Sequence, residues 1–164
     1  MAIQAALTGH LVLSTLHTND APSSLTRLHD LGVQPFLTAA TILGVLAQRL
    51  VRRLCPQCKQ ETSMNEQEWE HLTFDYIMEM PETMYKAVGC ETCRHTGYKG
   101  RVGIYEFMPV SLELKSLISA HGTLNDLKEK KKKEGVEPLR IAGARKVIEG
   151  VTTLEEVLRV VPLS

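Results

Sequence analysis

The chain has 164 residues, enough for one ordinary domain or for a small domain with part of another. Apolar residues make up 43%, which suffices for a core, while 19 basic and 19 acidic residues cancel. Balanced charge gives no field that attracts polyanions, and only 8 residues are aromatic, so nucleic-acid binding is disfavoured. No stretch has the length and apolarity of a bilayer span, and the opening does not resemble a signal peptide. We therefore expect a compartment in which thiols stay reduced.

The first residues predict a helix over 2–7, ended by Gly9, although no capping side chain precedes it. The sequence HLVLSTLH at 10–17 is then apolar except for small hydroxyls and its two histidines, which is typical of a parallel strand covered on both faces. A parallel strand needs parallel neighbours joined by crossovers, and the rest of the chain supplies none. We therefore expect that the first helix has lost its beginning and that the sheet lies upstream of Met1.

Two helices are predicted next. Asn19 or Asp20 caps the first of them, with Pro22 in its first turn and Gly32 at its end. A longer helix is predicted to open at Pro35 and to run into the first cysteine, because apolar residues recur at helical spacing. These residues are Phe36, Ala40, Leu43, Ala47, Leu50 and Leu54.

Residues 55–101 differ in character, because two cysteine pairs flank an acidic, Met-rich segment. Asn65 with Glu68 three residues later predicts a capped short helix that carries Trp69 and Leu72. The sequence RVGIYEFMPV that follows predicts a strand.

The rest of the chain is predicted to be helical. Three helices are expected, at about 111–121, 123–134 and 137–149. Thr153 with Glu156 forms a capping-box pattern and opens a last amphipathic helix. Its apolar residues are Val157, Leu158 and Val161.

The four cysteines form two C-x-x-C pairs, Cys55 with Cys58 and Cys90 with Cys93. Two intervening residues let one tight turn present both sulfurs to a single ion, and two such turns complete a tetrahedral zinc site. Gly89 and Gly97 beside the second pair provide the backbone freedom that such turns need. The spacing therefore predicts a structural zinc site.

The energies favour the metal. Joining the pairs closes a loop of 31 intervening residues, which costs about 3 kcal/mol. Structural zinc returns roughly 10–16 kcal/mol in small peptides. The alternatives are four unrelated buried thiols, which the paired spacing disfavours, and two disulfides, which a reducing compartment disfavours. Four sulfur ligands leave no open coordination position, so the zinc would hold shape and perform no chemistry.

Two histidines flank the apolar run, His10 at its start and His17 at its end, where a polar turn follows. In α/β proteins the ends of buried strands carry catalytic residues, because the sheet fixes them and the loop admits a ligand. The alternative is that both are ordinary edge histidines with satisfied rings. Taken alone, the residues favour that alternative.

Three sequences in order bear on this choice: TGHLVLSTLHTNDAPSSLTRL, QRLVRRLCPQCK and GCETCRHTGYKGRVGIYE. Together they resemble the bacterial ATPases that drive type II secretion and type IV pilus assembly, and the resemblance covers nearly the whole chain. Retraction motors of the same superfamily share the histidine motif but typically lack the tetracysteine segment. The resemblance therefore favours the secretion or pilus-assembly branch.

The resemblance implies a set of nucleotide contacts. His17 would sense or position the terminal phosphate of ATP, directly or through water, and His10 is a second candidate. Thr18, Asn19 and Asp20 would shape the turn, and Thr18 and Asn19 would contact the nucleotide. Arg101 would stack on the adenine, although a planar guanidinium also suits a surface ion pair.

The resemblance also implies the fold class, which is α/β. Residues 1–50 would be the last strand and helices of a RecA-like P-loop ATPase core, with the histidine box. Residues 51–108 would form the inserted tetracysteine zinc subdomain and a return strand, and 109–164 a C-terminal helical subdomain. The complete protein would be a cytoplasmic homohexamer that uses ATP and Mg²⁺. It would be peripheral to the inner membrane, which it reaches through platform proteins of the machine.

The sequence G-x-x-x-x-G-K-[ST] does not occur in the 164 residues, and the acidic magnesium-binding strand of the family is also missing. Phosphoryl transfer needs both a phosphate cradle and a magnesium ligand. We therefore expect that the complete protein is an ATP hydrolase, whereas this chain alone does not hydrolyse ATP.

Two basic clusters allow two interpretations each. Arg49, Arg52 and Arg53 would sit favourably near the C-terminus of the predicted long helix, or one of them would reach phosphate in a neighbouring subunit. The run KEKKKKEG at 128–135 predicts a solvated helix face. Its alternative is contact with acidic phospholipid.

Two other functions fit part of the pattern. A stand-alone zinc-ribbon module would bind protein or nucleic acid, but the balanced charge and scarce aromatics disfavour the nucleic-acid form. A zinc-chaperone-like binding domain is suggested by CETCRHTGY, yet it would need more glycine-flanked knuckles than two.

Overall fold

The structure is a computed structural model that describes residues 1–63 and 66–161. Its helices are α1 (Ala2–Leu7), α2 (Ala21–Asp30), α3 (Pro35–Thr41), α4 (Glu66–Thr73), α5 (Leu112–Ser119), α6 (Leu124–Lys133), α7 (Leu139–Ile148) and α8 (Leu154–Val160). Its strands are β1 (Gly44–Leu54), β2 (Gln60–Thr62), β3 (Met84–Lys86) and β4 (Tyr98–Pro109). A 3-10 turn covers Glu91–Cys93. Among the helices in the described ranges, none has the length and apolarity to cross a membrane.

The strands form two sheets of two strands each, one from β1 and β4 and one from β2 and β3. Strands β2 and β3 run antiparallel, with Gln60 opposite Lys86 and Thr62 opposite Met84. The predicted strand RVGIYEFMPV is confirmed, since its residues 101–109 belong to β4. The mixed α/β character of the chain is therefore confirmed, while the RecA-like arrangement of its first part stays a prediction.

By packing, the chain divides into two units. The first unit contains residues 1–47 and 106–137, and the second contains residues 48–105 and the chain from Pro138 onward. Each unit is therefore built from two separate segments of the sequence. The three-part division into 1–50, 51–108 and 109–164 stays a prediction.

The first unit is built around α2, α3, α5 and α6. Asp20 caps α2, one of the two predicted caps, because its Oδ1 accepts the N–H of Ser23 at 2.8 Å. Gly32 follows the helix at a φ of 85°, where a side chain would be strained. The apolar core of this unit contains Ala21, Leu25, Ala39, Met108, Leu114, Ile118 and Leu127. Burial of Ala21 fixes the start of α2, which directly follows residues 17–20, called here the histidine turn.

The predicted long helix is wrong beyond its first turns. Helix α3 ends at Thr41, and residues 44–54 form strand β1. Gly44 lies against the ring of Phe107 on β4, where an added Cβ would approach a ring carbon to 3.0 Å. The N–H of Val110 donates to the carbonyl of Leu43 at 3.0 Å. Pairing with β4 therefore overrides the helical spacing of the apolar residues.

The strand predicted at 10–17 is also wrong for this structure, which assigns no regular element to these residues. The side chains expected to be covered on both faces are exposed, with Leu11 at 78% and Leu13 at 88%. A strand forms only when a neighbour pairs with its backbone, and among the described residues the four strands pair in twos without this segment. The apolar sequence is thus typical of a strand that lacks a partner here.

We expect backbone amides of residues 11–17 in the purified chain to exchange with solvent much faster than those of β4. The reason is that the described structure gives these residues no place in a helix or sheet, and exchange protection follows such hydrogen bonding. Hydrogen exchange followed by mass spectrometry measures this directly. Protection of 11–17 as strong as that of 98–109 would contradict the expectation.

The second unit packs α4 against α7 and α8. Trp69 and Leu72 of α4 are buried, as predicted, and the indole N–H of Trp69 donates to the carbonyl of Met78 at 3.2 Å. The predicted cap of this helix, Asn65, lies outside the described residues. The short helix thus anchors the segment between the cysteine pairs.

The helices at the end of the chain confirm the prediction in number and place as α5, α6, α7 and α8. Thr153 caps α8 as predicted, because its hydroxyl accepts the N–H of Glu156 at 3.2 Å. The predicted capping box is only half formed. The Glu156 side chain does not cap the helix and instead accepts hydrogen bonds from Arg52 and Arg159.

The lysine run on α6 is not a uniformly solvated face. Lys131 is buried, with its Nζ 2.8 Å from the carboxylate of Glu106, which is itself 1% exposed. Lys128 lies 3.3 Å from the carboxylate of Asp20, and Lys130 lies 3.2 Å from that of Glu134. The solvated-face prediction is therefore wrong for Lys131, because this position faces the core beside Leu127 and meets a buried acid.

Candidate functional site

The four cysteines lie together at one place in the second unit. Their sulfur atoms are all within 4.8 Å of one another. The sulfurs of Cys55 and Cys90 are 3.9 Å apart, and those of Cys58 and Cys93 are 3.8 Å apart. Four thiols at such distances, with no disulfide among them, can hold one metal ion. The structure therefore brings together the whole predicted ligand set.

Backbone N–H groups point at two of the sulfurs. Gly89 donates to the sulfur of Cys58 at 3.3 Å, while Cys90 and Gly97 donate to the sulfur of Cys93, each at 3.2 Å. Such bonds stabilise thiolate, the form that binds a metal. Hydrogen-bond donors of this kind are the outer support that orients a metal ligand.

The pKa values of the thiols diverge for physical reasons. Burial raises the pKa of Cys93, but the N–H groups of Cys90 and Gly97 and the neighbouring thiols outweigh it and lower that pKa to about 6. Burial raises the pKa of Cys58 to about 11, since the single N–H of Gly89 does not offset it and the other thiols add to the rise. At neutral pH Cys93 is therefore a thiolate, while Cys58 keeps its proton.

The two pairs sit on turns that the local sequence builds. The N–H of Cys55 donates to the carbonyl of Gly97 at 2.9 Å, which ties the first pair to the second. Gly89 has a φ of 119°, and a Cβ there would lie 2.7 Å from the carbonyl oxygen of His95. Glycine is therefore required at position 89 for two reasons: the positive φ of the turn and the close approach of the His95 backbone.

A buried carboxylate in the same unit was missed by sequence reasoning. Glu156 is 1% exposed, and its Oε2 accepts from both Nε and Nη2 of Arg52 at 2.9 and 2.7 Å. Arg159 donates to both carboxylate oxygens at 2.9 and 2.6 Å. Burial raises the pKa of Glu156, but the two guanidinium groups and the N–H of Arg52 outweigh it and hold that pKa at about 2.

This arrangement changes the interpretation of the arginines. Arg49, Arg52 and Arg53 lie on β1, so their predicted position at a helix C-terminus is wrong. The guanidinium of Arg52 lies 4.1 Å from the centre of the Tyr98 ring, and the Tyr98 hydroxyl is 2.9 Å from that of Thr153. Arg52 thereby joins β1, β4 and α8 within the second unit.

The histidine turn borders an open cleft of about 300 Å³ in the first unit. Three predicted site residues line it: His17, Thr18 and Asn19. The other walls come from one face of α2 and from α6. They are Ser23, Thr26, Arg27, Asp30 and Leu124.

The cleft offers the groups that recognise phosphate: an imidazole, hydroxyls and a guanidinium. Arg27 supplies the guanidinium and was not predicted. The signal was available, because Ser23, Arg27 and Asp30 recur at helical spacing and so share the face of α2 that borders the turn. The cleft therefore offers an anionic ligand polar groups at several points, beside the carboxylate of Asp30.

Hydrogen bonds hold the turn beside the cleft. The Thr18 hydroxyl donates to the carbonyl of Asp20 at 3.2 Å and lies 2.8 Å from the hydroxyl of Ser24, which is buried. Burial raises the pKa of Asp20, yet its bonds to Ser23 and the nearby Lys128 lower it overall. Asp20 therefore carries a negative charge at the start of α2 at neutral pH.

Two predicted nucleotide residues do not line this cleft. The ring Nδ1 of His10 lies 3.1 Å from the Thr8 hydroxyl and 3.3 Å from the carbonyl of Ala5. These contacts are local and keep that ring at the end of α1. Arg101 belongs to the second unit and is exposed on β4.

Comparison with known proteins bears on these sites. A family model described as type II/IV secretion system protein matches residues 1–159. The type IV pilus assembly ATPase TfpB of Acinetobacter baylyi is 73% identical over 100% of this chain and 28% of its own length. The type II secretion system protein E of Pseudomonas aeruginosa is 49% identical over 98% of this chain and 31% of its own length. The type IV pilus assembly ATPase PilB of Thermus thermophilus is 45% identical over 96% of this chain and 18% of its own length. The chain thus spans about a third or less of these relatives.

Proposed function

Because this chain belongs to the family of type II/IV secretion system proteins, we propose that it is part of an ATP-driven motor. It contributes the residues that sense the terminal phosphate of ATP and a metal-held subdomain. The observation that carries the proposal is the cleft that His17, Thr18 and Asn19 line together. The resemblance to secretion ATPases implies the same three residues as nucleotide contacts.

In this proposal His17 donates a hydrogen bond from its ring to a phosphate oxygen, directly or through one water. Its side chain is exposed at the cleft, so a phosphate group can reach it. Arg27 adds a positive charge on the same wall, and the Thr18 hydroxyl is fixed by Asp20 and Ser24. Interactions of this kind hold phosphoryl oxygens while charge develops on them.

We propose that the phosphate cradle and the magnesium ligand are contributed outside these 164 residues, which contain no G-x-x-x-x-G-K-[ST] sequence. The chain alone then does not hydrolyse ATP. His10 and Arg101 remain candidates for nucleotide contact in the complete assembly. One of Arg49, Arg52 and Arg53 remains a candidate for phosphate contact across a subunit boundary.

For the cysteine site we propose structural zinc. Sulfur atoms at tetrahedral corners about 2.3 Å from zinc lie about 3.8 Å apart. Three of the six sulfur pairs here are 3.8 to 3.9 Å apart, and all four sulfurs lie within 4.8 Å of one another. Cys55, Cys58, Cys90 and Cys93 would fill all four positions. The ion then fixes the second unit and takes no part in the chemistry.

We propose that the complete protein is a cytoplasmic homohexamer, peripheral to the inner membrane and docked on platform proteins of the machine. Residues 1–50 belong to its RecA-like core, 51–108 to the zinc subdomain with the return strand, and 109–164 to a helical subdomain. Force arises from nucleotide-dependent rigid-body motion between these parts and between subunits. Family membership supports this assignment.

Between the two machines we favour pilus assembly. Identity to the pilus assembly ATPase TfpB is 73%, against 49% to a type II secretion system protein E. Deletion of the gene should then abolish surface pili and leave export of folded enzymes unchanged. Loss of enzyme export with intact pili would assign the chain to secretion.

The nucleotide-sensing proposal is tested in the complete gene product. His17→Ala should lower the rate of ATP hydrolysis at saturating ATP by at least about tenfold. The matched variant His71→Ala removes an exposed imidazole from α4 and should leave the rate unchanged. Equal rates for the two variants would exclude a role for His17 in the chemical cycle.

A further inference from the structure

Two lysines of the run on α6 form ion pairs beside the start of α2. Lys131 lies 2.8 Å from the carboxylate of Glu106, and Lys128 lies 3.3 Å from that of Asp20. Positions three residues apart share one face of a helix. The same helix supplies Leu124 to the wall of the cleft. One face of α6 therefore both borders the cleft and contacts the residues that begin α2.

Glu106 links this face to the backbone of α2. The same carboxylate oxygen that faces Lys131 accepts the N–H of Ala21 at 3.0 Å. That N–H is at the first position of a helix, where it has no acceptor within the helix. Ala21 is fully buried and water does not reach it, so without Glu106 the N–H would be left unsatisfied.

The start of α2 in turn fixes the histidine turn. Asp20 caps the helix through the N–H of Ser23, and the Thr18 hydroxyl donates to the carbonyl of Asp20. A continuous series of contacts thus runs from Lys131 through Glu106 and Ala21 to the residue next to His17. Its members are held by bonds of 2.8 to 3.3 Å.

Stability alone gives little reason for a buried ion pair here. Well-packed apolar residues in place of such a pair often leave a protein as stable or more so, because desolvating two charges is costly. A carboxylate does what an apolar residue cannot: it accepts the Ala21 N–H and orients the helix start. The pair therefore fits a requirement for orientation better than one for stability.

We propose that Glu106 and Lys131, assisted by Lys128, are positioning residues for the nucleotide-sensing turn. They hold the start of α2, and so residues 17–20, in the orientation in which the cleft receives phosphate. This inference rests on the proposed function of the cleft. It gives Lys128 and Lys131 a role that differs from both earlier interpretations of the lysine run, a solvated helix face and contact with phospholipid.

The test compares two uncharged replacements of the pair in the complete gene product. Glu106→Gln with Lys131→Met keeps an oxygen that can accept the Ala21 N–H. Glu106→Leu with Lys131→Met removes that acceptor and introduces an apolar side chain of similar size. Both double variants lack the buried charges, so a difference between them reports the acceptor.

Hydrogen exchange is read in peptides that cover residues 17–24. The leucine double variant should exchange about tenfold faster there than the glutamine double variant, while peptides from 112–119 stay unchanged. Equal exchange at 17–24 in the two variants overturns the proposal, whatever their activity. If the leucine double variant does not fold, Lys128→Met against the exposed Lys133→Met gives the same readout, with about threefold faster exchange expected for Lys128→Met alone.

ATP hydrolysis supplies a readout that general destabilisation does not reproduce. The leucine double variant should lose about tenfold in rate, and the glutamine double variant should recover most of it. Adding His17→Ala to the leucine double variant should cause no further loss, because both changes disable the same turn. Losses that multiply would overturn the proposal. If His17→Ala alone leaves the rate unchanged, the proposed function fails, and the exchange result by itself decides whether the pair positions the turn.

Discussion

Replacing Cys93 with serine is expected to abolish cooperative unfolding of the second unit and to release its metal. The sulfur of Cys93 accepts hydrogen bonds from two backbone N–H groups, each at 3.2 Å. Its pKa of about 6 makes it a thiolate at neutral pH. Structural zinc contributes roughly 10–16 kcal/mol in small peptides. This is as large as the whole stability of an ordinary domain, about 5–15 kcal/mol. The measurement is urea unfolding followed by Trp69 fluorescence, with metal content by elemental analysis.

The matched variant for this experiment is Gln57→Ser, which changes an exposed residue between two ligands and leaves all four sulfurs in place. It should bind about one zinc per chain and unfold in one transition like the unaltered chain. Cys58→Ser should behave like Cys93→Ser. An unaltered chain that is folded, reduced and free of metal would show that the site is not a zinc site.

Replacing Glu156 with alanine is expected to lower the free energy of unfolding of the second unit by about 3 kcal/mol. The change removes a buried carboxylate that accepts bonds from Arg52 and Arg159 and from the backbone N–H of Arg52. The exposed neighbour Glu155 provides the matched control, and Glu155→Ala should stay within about 0.5 kcal/mol of the unaltered chain. Urea unfolding at pH 7 measures both.

The same carboxylate predicts an acid-sensitive stability. The folded-state pKa of Glu156 is about 2, below its ordinary 4.5, so its contribution is complete above pH 4.5 and is lost as the pH falls towards 2. The gap between these pKa values corresponds to about 3 kcal/mol. The difference in stability between Glu155→Ala and Glu156→Ala should therefore shrink between pH 4.5 and pH 2. A difference that stays constant over that range would show that Arg52 and Arg159 do not lower the pKa of Glu156.

The cysteine site could be predicted from the sequence because its geometry is encoded locally. Each pair places two ligands on one short turn, and only the meeting of the two turns requires the rest of the chain. The network of Glu156 could not be predicted in this way. Its partner Arg52 lies 104 residues away, and the Thr153 to Glu156 spacing gave a simpler interpretation as a capping box.

The errors in secondary structure have one cause, which is that strands depend on partners. Residues 44–54 carry a helical spacing, yet β4 pairs with them and the close approach of Gly44 to Phe107 favours the strand. Residues 10–17 carry the pattern of a buried strand but have no partner among the described residues. Helices have internal hydrogen bonds and do not need a partner. The predictions of α1, of α2 and of the four helices between Leu112 and Val160 were accordingly correct.

Lys131 shows how composition can conceal a buried residue. Four lysines in succession suggest solvent, but position 131 is four residues after Leu127 and therefore on the same face of the helix. The spacing was available in the sequence, whereas the buried acid that makes the position tolerable, Glu106, lies on a distant strand. The sequence therefore could have shown which lysine faces inward, but not what it meets.

The most direct test is a structure of the complete gene product with Mg²⁺ and a non-hydrolysable ATP analogue bound. We expect the terminal phosphate in the cleft beside His17 and Thr18, at about 3 Å from the imidazole or one water away. A nucleotide bound with its terminal phosphate far from this cleft, and with the His17 ring in contact only with solvent, would contradict the proposed role of the histidine turn.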